Sequence, residues 1–219
     1  MTGTTTQTAT ARRWRLVAEF ALLFLGVPLL LALVLPPTAM FTVLGAMTLG
    51  GMVLLHLTPG FSWTELLHGW RELPGRAVAV FVAVTLLTAF AGVMILFPHN
   101  LLMLPRLDPG LWLLILVAYP VVSALPQEML FRPLFFRRYG PLFPDTRVAI
   151  LANAALFSFA HLMYWHWLVA AMTFCGGLAF AWAYAVRGNF PLAVILHALA
   201  GQIVFTSGLG ILFYSGAVN

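Results

Sequence analysis

The sequence predicts an all-α polytopic membrane protein, a bundle of about seven transmembrane helices around an intramembrane polar cavity. Of its 219 residues, 62% are hydrophobic and 8% are charged, whereas a soluble domain is roughly half apolar and about a quarter charged. The apolar residues form long runs, and a few ionisable residues lie inside them. This composition excludes a soluble globular protein and a disordered chain, and the single cysteine excludes a disulfide scaffold.

The apolar runs divide the chain into spans. A bilayer core about 30 Å thick requires around 20 residues of helix. Seven runs approach this length: Leu16 to Leu35, Phe41 to Leu57, Ala77 to Phe97, Leu111 to Phe136, Val148 to Met163, Trp167 to Val186 and Phe190 to Tyr214. We expect a cytoplasmic N-terminal arm (1–15), a group of transmembrane helices without recognised motifs (16–110), and a helical core with the polar motifs (111–219).

The arginines predict how the chain lies in the membrane. They sit at the ends of apolar runs and not in one patch with interleaved aromatic residues, so the net charge of +5 indicates membrane topology and no nucleic-acid partner. Arg12, Arg13 and Arg15 precede the first span, and the turn after it has no charge. The positive-inside rule then places the N-terminus in the cytoplasm. We expect an integral membrane protein of a bacterial inner membrane, with the lipid bilayer as its first partner.

The fourth span carries an acid and a base inside apolar sequence. An ionisable side chain at mid-helix costs at least about 2.5 kcal/mol, so such residues are candidates for function. Glu128 and Arg132 are four residues apart and share a helix face, which lets them pair. Pro126 and Pro133 bracket them and each removes a backbone donor, as expected where a helix lines a wet cavity. The alternative is a buried ion pair that only fixes helix packing.

Two histidines lie in later spans. Asn153, Phe157 and His161 are spaced by four and predict one stripe of the fifth helix, and His197 lies in the seventh span. Each histidine alone is compatible with a hydrogen bond to a carbonyl. Together with Glu128 they predict a convergent site on three helices. A carboxylate and two imidazoles can activate water and stabilise an oxyanion, which is the chemistry of hydrolysis.

These motifs resemble the family of CAAX proteases and bacteriocin-processing enzymes, called CPBP or Abi-type membrane proteins, which includes the type II CAAX prenyl endopeptidases. The family pattern is Glu-Glu-x-x-x-Arg, then Phe-x-x-x-His, then His-x-x-x-Asn or Asp. The corresponding stretches are Gln127-Glu128-x-x-x-Arg132, Phe157-x-x-x-His161 and His197-x-x-x-Gly201. The resemblance covers roughly residues 111–219, which makes this part a CPBP-like catalytic core.

The resemblance implies an intramembrane endopeptidase. Its substrate would be a membrane-associated or C-terminally processed protein or peptide, cleaved by Glu/His-activated water with Glu128, His161 and His197 as catalytic residues. Arg132 and Phe157 would support them. The resemblance is compatible with both metal-dependent and metal-free hydrolysis; Glu128, His161 and His197 would hold a divalent ion such as zinc if one were bound. We favour metal-independent chemistry.

Two positions depart from the family pattern. Gln127 stands where the family has the glutamate assigned to activating the water, and an amide is not a general base. In an active site, either Glu128 takes the base role or Gln127 positions a water that His161 deprotonates. Gly201 stands where the family has the Asn or Asp thought to assist the oxyanion.

Other residues and other functions stay open at this point. Gln202 or Asn153 would replace the donor missing at position 201. The main alternative function is a catalytically inactive relative that binds a membrane peptide or partner protein in the same cavity, which both departures favour. A small transporter with the histidines as proton carriers would require an inverted repeat with paired broken helices, and the sequence has no such symmetry.

Overall fold

The computed structural model describes residues 3–213, with side chains from Thr10 onward, and this part of the chain has no strands. Seven helices are long and apolar enough to cross a membrane: Thr10–Leu33, Pro37–His56, Gly75–Leu96, Pro109–Leu142, Thr146–Tyr164, Trp167–Ala185 and Phe190–Ser207. Each overlaps one predicted run. The predicted fold class is therefore confirmed, and the helices are called the first to seventh spans below.

Several spans are built from more than one type of helix. The first consists of an α-helix Gly3–Ala21, a π turn Leu22–Gly26 and an α-helix Val27–Leu33. The second has a 3-10 turn Pro37–Ala39 before the α-helix Met40–His56. The fifth has the α-helix Thr146–Phe159 and then a 3-10 turn Leu162–Tyr164. Short helices outside the spans are Trp63–Leu67, Pro98–Asn100, Met103–Leu107 and Leu209–Phe213.

The seventh helix ends earlier than predicted. The apolar run continues to Tyr214, which lies outside the described residues, but the helix stops at Ser207. Gly208 has a φ of 114°, which favours glycine, and a Cβ there would overlap the carbonyl of Asn100. Leu102 N–H donates to the Ser207 carbonyl at 3.0 Å. The loop after the third span thus packs against the end of the seventh span. The turn at Gly208 that ends the helix depends on this contact, so the length of the apolar run does not predict it.

The fourth span is the longest and the least regular. It contains the α-helix Pro109–Tyr119, a π turn Pro120–Ala124, the α-helix Leu125–Met129, a π-helical stretch Leu130–Tyr139 and a 3-10 turn Gly140–Leu142. Prolines begin the first π turn and lie inside the second stretch, where they cannot donate a backbone hydrogen bond. Such π turns are frequent at functional sites because they alter which side chains face inward.

The first span packs through aromatic rings on the C-terminal end of the fourth span. Phe24 lies 5.6 Å from Phe135 and 5.8 Å from Tyr139 between ring centroids, edge to face in both cases. Beside them Arg138 donates two hydrogen bonds to Glu19, at 2.6 and 2.8 Å. Glu19 also lies 3.4 Å from Arg15. The acid in the first span is therefore paired near the helix end.

The outer surface of the bundle is apolar. Large side chains such as Leu87, Ile95 and Val117 are more than 70% exposed. In water such a surface would be a large unfavourable area, whereas lipid tails cover it at no cost. The protein is thus an integral membrane protein.

The fifth and sixth spans pack closely against each other. Gly177 of the sixth span faces Ala154 of the fifth, and a Cβ at position 177 would lie 3.0 Å from the Ala154 Cα. Small residues at such an interface let backbones approach closely. This contact matters for the site because both helices carry aromatic residues that surround it.

We predict that Gly177→Ala lowers the melting temperature of the purified protein in detergent. The added methyl group overpacks against backbone, which costs about 1–3 kcal/mol in well-packed cores. Gly45→Ala is the matched control, because position 45 is exposed and a Cβ there meets nothing within 4 Å. Tryptophan fluorescence melting curves report both. Equal melting temperatures for the two variants would contradict the close contact.

Candidate active site

A fully buried ion pair lies at the centre of the bundle. Arg132 Nε donates to Glu128 Oε2 at 2.7 Å, and Arg132 Nη2 donates to Glu128 Oε1 at 3.2 Å. Both side chains are 0% exposed. The two parallel bonds match the planar guanidinium to the planar carboxylate, which is the strongest geometry for such a pair. The predicted pairing of these residues is therefore seen in the structure.

The guanidinium has further contacts beyond Glu128. Arg132 Nη1 donates to Asn153 Oδ1, and Asn153 Nδ2 donates to the Phe131 carbonyl at 2.7 Å. The rings of Phe157 and Phe180 lie 5.3 and 5.7 Å from the guanidinium carbon. These distances are within the range of cation–π attraction. The fifth and sixth spans thus enclose the charge of the fourth.

His197 extends this network toward the cavity. Its Nδ1 lies 2.9 Å from Glu128 Oε1, and its Nε2 lies 3.0 Å from the Tyr119 hydroxyl. A carboxylate paired with arginine accepts hydrogen bonds, so Nδ1 carries a proton and donates it. In neutral His197 the Tyr119 hydroxyl then donates to Nε2. The imidazole also stacks on Phe180 with centroids 4.9 Å apart and planes 13° apart.

His161 does not lie on the face of the fifth helix, which is a difference from the predicted stripe. The helix ends at Phe159, and His161 sits in the turn that follows, with φ −97° and ψ 11°. Its Nδ1 donates to the Phe157 carbonyl at 2.7 Å. Because Nδ1 holds the proton, Nε2 carries a lone pair. In the described part of the chain, no group makes a hydrogen bond to that atom.

Phe157 contacts both histidines. Its ring centroid lies 4.9 Å from that of His161 and 5.4 Å from that of His197. The structure therefore brings Glu128 and His197 into direct contact, whereas His161 shares a phenylalanine neighbour with His197. His161 and His197 do not hydrogen-bond to each other.

A cavity of about 480 Å³ is lined by both histidines. Most of its wall is aliphatic or aromatic, and every span except the third contributes to it. The polar residues in the wall are Tyr119, Ser123, Gln127, His161, Tyr164, Thr173 and His197. A mostly apolar pocket with a few convergent polar groups is typical of a substrate site.

Gln127 presents an acceptor to this cavity. Its Nε2 donates to Ser123 Oγ at 3.0 Å. The bond fixes the amide and leaves Oε1 with both of its lone pairs, because no described residue donates to it. Gln127 can therefore accept a hydrogen bond from a water molecule, but it cannot take the proton.

The two residues expected to replace the donor missing at position 201 are engaged elsewhere. Asn153 uses both ends of its amide on Arg132 and Phe131. Gln202 Nε2 donates to the Leu116 carbonyl at 2.8 Å. Pro120 lies four residues after Leu116 and has no N–H to donate to that carbonyl. Gln202 therefore supplies a bond that the helix lacks, and it does not line the cavity.

Gly201 does line the cavity, and an aromatic ring lies directly over it. A Cβ at this position would overlap the ring of Tyr119 and would lie 2.6 Å from its hydroxyl oxygen. The sequence alone does not identify Tyr119 as a site residue, because a tyrosine in an apolar run usually indicates a side chain that packs in the helix bundle. The only local signal is the proline that follows it. Phe180, which stacks on His197, has no such signal.

The site does not present a free set of metal ligands. Both oxygens of Glu128 and both ring nitrogens of His197 have partners in the protein, which leaves only Nε2 of His161. Within residues 3–213 no three His, Cys, Asp or Glu side chains are grouped so as to hold a metal ion. A zinc site needs at least three protein ligands, so the residues do not fit a metal in this arrangement.

Comparison with known proteins agrees with the motifs. Residues 109–202 match the family model described as type II CAAX prenyl endopeptidase Rce1-like. The matched stretch runs from the start of the fourth span into the seventh and includes every residue of the site described above. Searches of curated proteins and of solved structures found no match. The resemblance drawn from the three motifs is confirmed over this stretch, since residues 109–202 are similar to the Rce1-like type II CAAX prenyl endopeptidase family.

Proposed function

We propose that the protein is an intramembrane endopeptidase of the CAAX type, which hydrolyses a peptide bond of a membrane-associated or C-terminally processed protein or peptide. The observation that carries the proposal is the free Nε2 lone pair of His161 in the cavity that His197 also lines, while Glu128 binds His197 from behind the cavity wall. An unpartnered imidazole nitrogen is expensive to keep among apolar groups unless a ligand or water uses it. The family of residues 109–202 supports the same activity.

His161 is the best candidate for the general base. Glu128 has both oxygens engaged by Arg132 and one of them by His197 as well, and it is completely buried. Removing a proton from water would require this carboxylate to break those bonds first. His161 Nε2 has no such cost, because its lone pair has no partner in the described part of the chain and can accept a proton. We assign Gln127 as the acceptor that orients the water.

The proposed hydrolysis has an addition step and a cleavage step. The water oxygen forms a bond to the carbonyl carbon of the scissile peptide while one water proton moves to His161 Nε2. The carbonyl oxygen becomes an oxyanion. When the C–N bond breaks, the proton on His161 moves to the departing amine. The products are a new carboxyl terminus and a new amino terminus, so neither an oxidant nor another reactant is needed.

Glu128 and Arg132 act on this chemistry through His197. The carboxylate fixes the His197 tautomer and its ring orientation, as an acid does beside a histidine in hydrolytic triads. We therefore assign Glu128 and Arg132 as positioning residues, with Asn153 and Phe157 holding the guanidinium. His197 faces the reacting carbonyl with Tyr119.

The membrane setting and the division of the chain follow the same proposal. We infer that the core from residue 111 onward carries the catalysis and that the helices of residues 16–110 complete the cavity wall, since Met40, Leu44 and Met47 line it. Arg137 donates to the Gly60 carbonyl and to Glu65, which brings arginine-bearing segments to one end of the bundle. We assign that end and the N-terminal arm to the cytoplasm of a bacterial inner membrane.

We predict that membranes from cells expressing the protein contain new peptide termini that disappear in His161→Ala. Loss of the base should reduce cleavage by about 10²-fold or more. Mass spectrometry of peptide termini, at matched protein abundance, measures this directly. His99→Ala is the matched control, because His99 is exposed in the loop after the third span.

If the protein is instead a catalytically inactive relative that binds a membrane peptide or protein, the same experiment gives a different result. Identical termini in wild type and His161→Ala, together with a membrane protein that co-purifies with wild type and not with the variant, would replace the protease proposal. Because Glu128→Ala leaves Arg132 as an unpaired buried charge at a cost of about 3–5 kcal/mol, His161→Ala is the cleaner variant.

We predict that Gln127→Glu makes cleavage less dependent on His161. A carboxylate at position 127 can take the proton that the amide cannot. The double variant Gln127→Glu, His161→Ala should therefore yield the same termini that His161→Ala loses. If the double variant is as inactive as His161→Ala while Gln127→Glu alone cleaves normally, position 127 is not next to the attacking water.

We predict that the protein purified in chelator-free buffer holds less than stoichiometric zinc, and that a chelator does not change its cleavage rate. The donor atoms of Glu128 and His197 are already bound by Arg132 and Tyr119. Elemental analysis by mass spectrometry gives the metal content. One zinc per chain that is lost in His161→Ala would show that the histidines rearrange around a metal.

A further inference from the structure

We propose that the hydroxyl of Tyr119 donates the hydrogen bond that stabilises the oxyanion of the reaction, in the space that Gly201 leaves open. This inference rests on the proposed function. It assigns a catalytic role to a residue outside the three sequence motifs. It also explains why position 201 holds a glycine, since the Tyr119 ring occupies the space of a side chain there.

The position of the hydroxyl is the first argument. Tyr119 lies at the end of the first α-helical part of the fourth span, immediately before the π turn that begins at Pro120. Its oxygen lies 3.0 Å from Nε2 of His197 and faces the cavity that also holds Gln127 and His161. A peptide carbonyl bound there can therefore meet the phenol on one side and the water-activating groups on another.

The shortage of other donors is the second argument. Asn153 and Gln202 have their amide groups engaged by backbone or Arg132. Ser123 and Gln127 pair with each other and make no hydrogen bond to His197, which holds the Tyr119 hydroxyl instead. Tyr164 directs its hydroxyl to the sulfur of Met40. Among the hydroxyl and amide groups of the cavity wall, Tyr119 is the one held against the imidazole of His197.

The packing against Gly201 is the third argument. His197 and Gly201 are four residues apart on the same face of the seventh span, so a side chain at position 201 would enter the site beside the imidazole. The ring of Tyr119 already fills that volume, and even a methyl group would overlap it. The ring also packs edge to face on Phe205 with centroids 5.7 Å apart. The two positions therefore act as one unit, in which the fourth span supplies the polar group that the seventh lacks.

The chemistry requires only a change in hydrogen bonding. Before the reaction the phenol O–H points to Nε2 of His197. A phenolic hydroxyl can rotate about its C–O bond and can both donate and accept. As negative charge develops on the carbonyl oxygen, the O–H turns toward it. No covalent bond to Tyr119 forms or breaks, and its proton stays on the phenol.

The first test removes the hydroxyl and keeps the ring. Tyr119→Phe is expected to lower kcat by about 10²-fold with little change in KM, the usual effect of losing one oxyanion donor. The probe is a synthetic peptide that spans the His161-dependent cleavage site found in membranes. Tyr184→Phe is the matched control, because Tyr184 packs on Phe136 and Phe190 away from the cavity.

The second test exchanges the two positions. When Tyr119 is present, Gly201→Ala should reduce kcat, because the methyl group displaces the ring. In the Tyr119→Ala background, the same substitution should cause no further reduction of kcat. This non-additivity is the signature of a shared contact. The double variant Tyr119→Ala, Gly201→Asn places an amide donor in the vacated space and should recover part of the activity that Tyr119→Ala loses.

The outcomes separate this inference from the proposed function. If wild type produces no His161-dependent terminus, the protease proposal and the donor role both fail. If wild type cleaves the peptide and Tyr119→Phe has the same kcat, the donor role alone is wrong. If Tyr119→Phe raises KM and leaves kcat unchanged, Tyr119 only binds substrate, which also overturns the donor role.

Discussion

The buried pair of Arg132 and Glu128 is the interaction on which the rest of the site depends. Two charges at zero exposure are tolerated only when their geometry is good and their remaining hydrogen-bonding groups are satisfied. The surroundings provide this. Asn153 of the fifth span binds the guanidinium, rings from the fifth and sixth spans cover it, and His197 of the seventh binds the carboxylate. Four helices are therefore held in register by one ion pair, and the same contacts orient the histidine that faces the cavity.

The irregular backbone of the fourth span is the second constraint. Prolines at positions 120 and 133 interrupt the regular helix and coincide with π-helical stretches. One lost bond is replaced by Gln202, whose amide donates to the Leu116 carbonyl. In a bilayer such a replacement is required, because no water is available for an open carbonyl. The helix can thus place Tyr119 and Gln127 in the cavity wall and Arg132 in the buried ion pair, while the Leu116 carbonyl keeps a hydrogen-bond partner.

The sequence predicts the fold and part of the site well. Spans follow from the length of apolar runs, and the Glu128–Arg132 contact follows from a spacing of four on one helix. His161 shows where such reasoning stops, because a spacing of four implies a helix face only while the helix continues. Here it ends at Phe159, and the bond from His161 to the Phe157 carbonyl comes from a turn. Tyr119 and Gly201 are 82 residues apart, and their contact depends on how the fourth and seventh spans cross, which no local pattern encodes.

The overlap between Tyr119 and Gly201 also has an evolutionary consequence. Two side chains cannot occupy one volume, so neither position can change freely while the other is kept. Among descendants of this sequence, any side chain at position 201 should be accompanied by loss of the aromatic ring at position 119, and a return of the ring should require a return of glycine. The two positions would then vary together, even though Tyr119 lies outside the three motifs that identify the core.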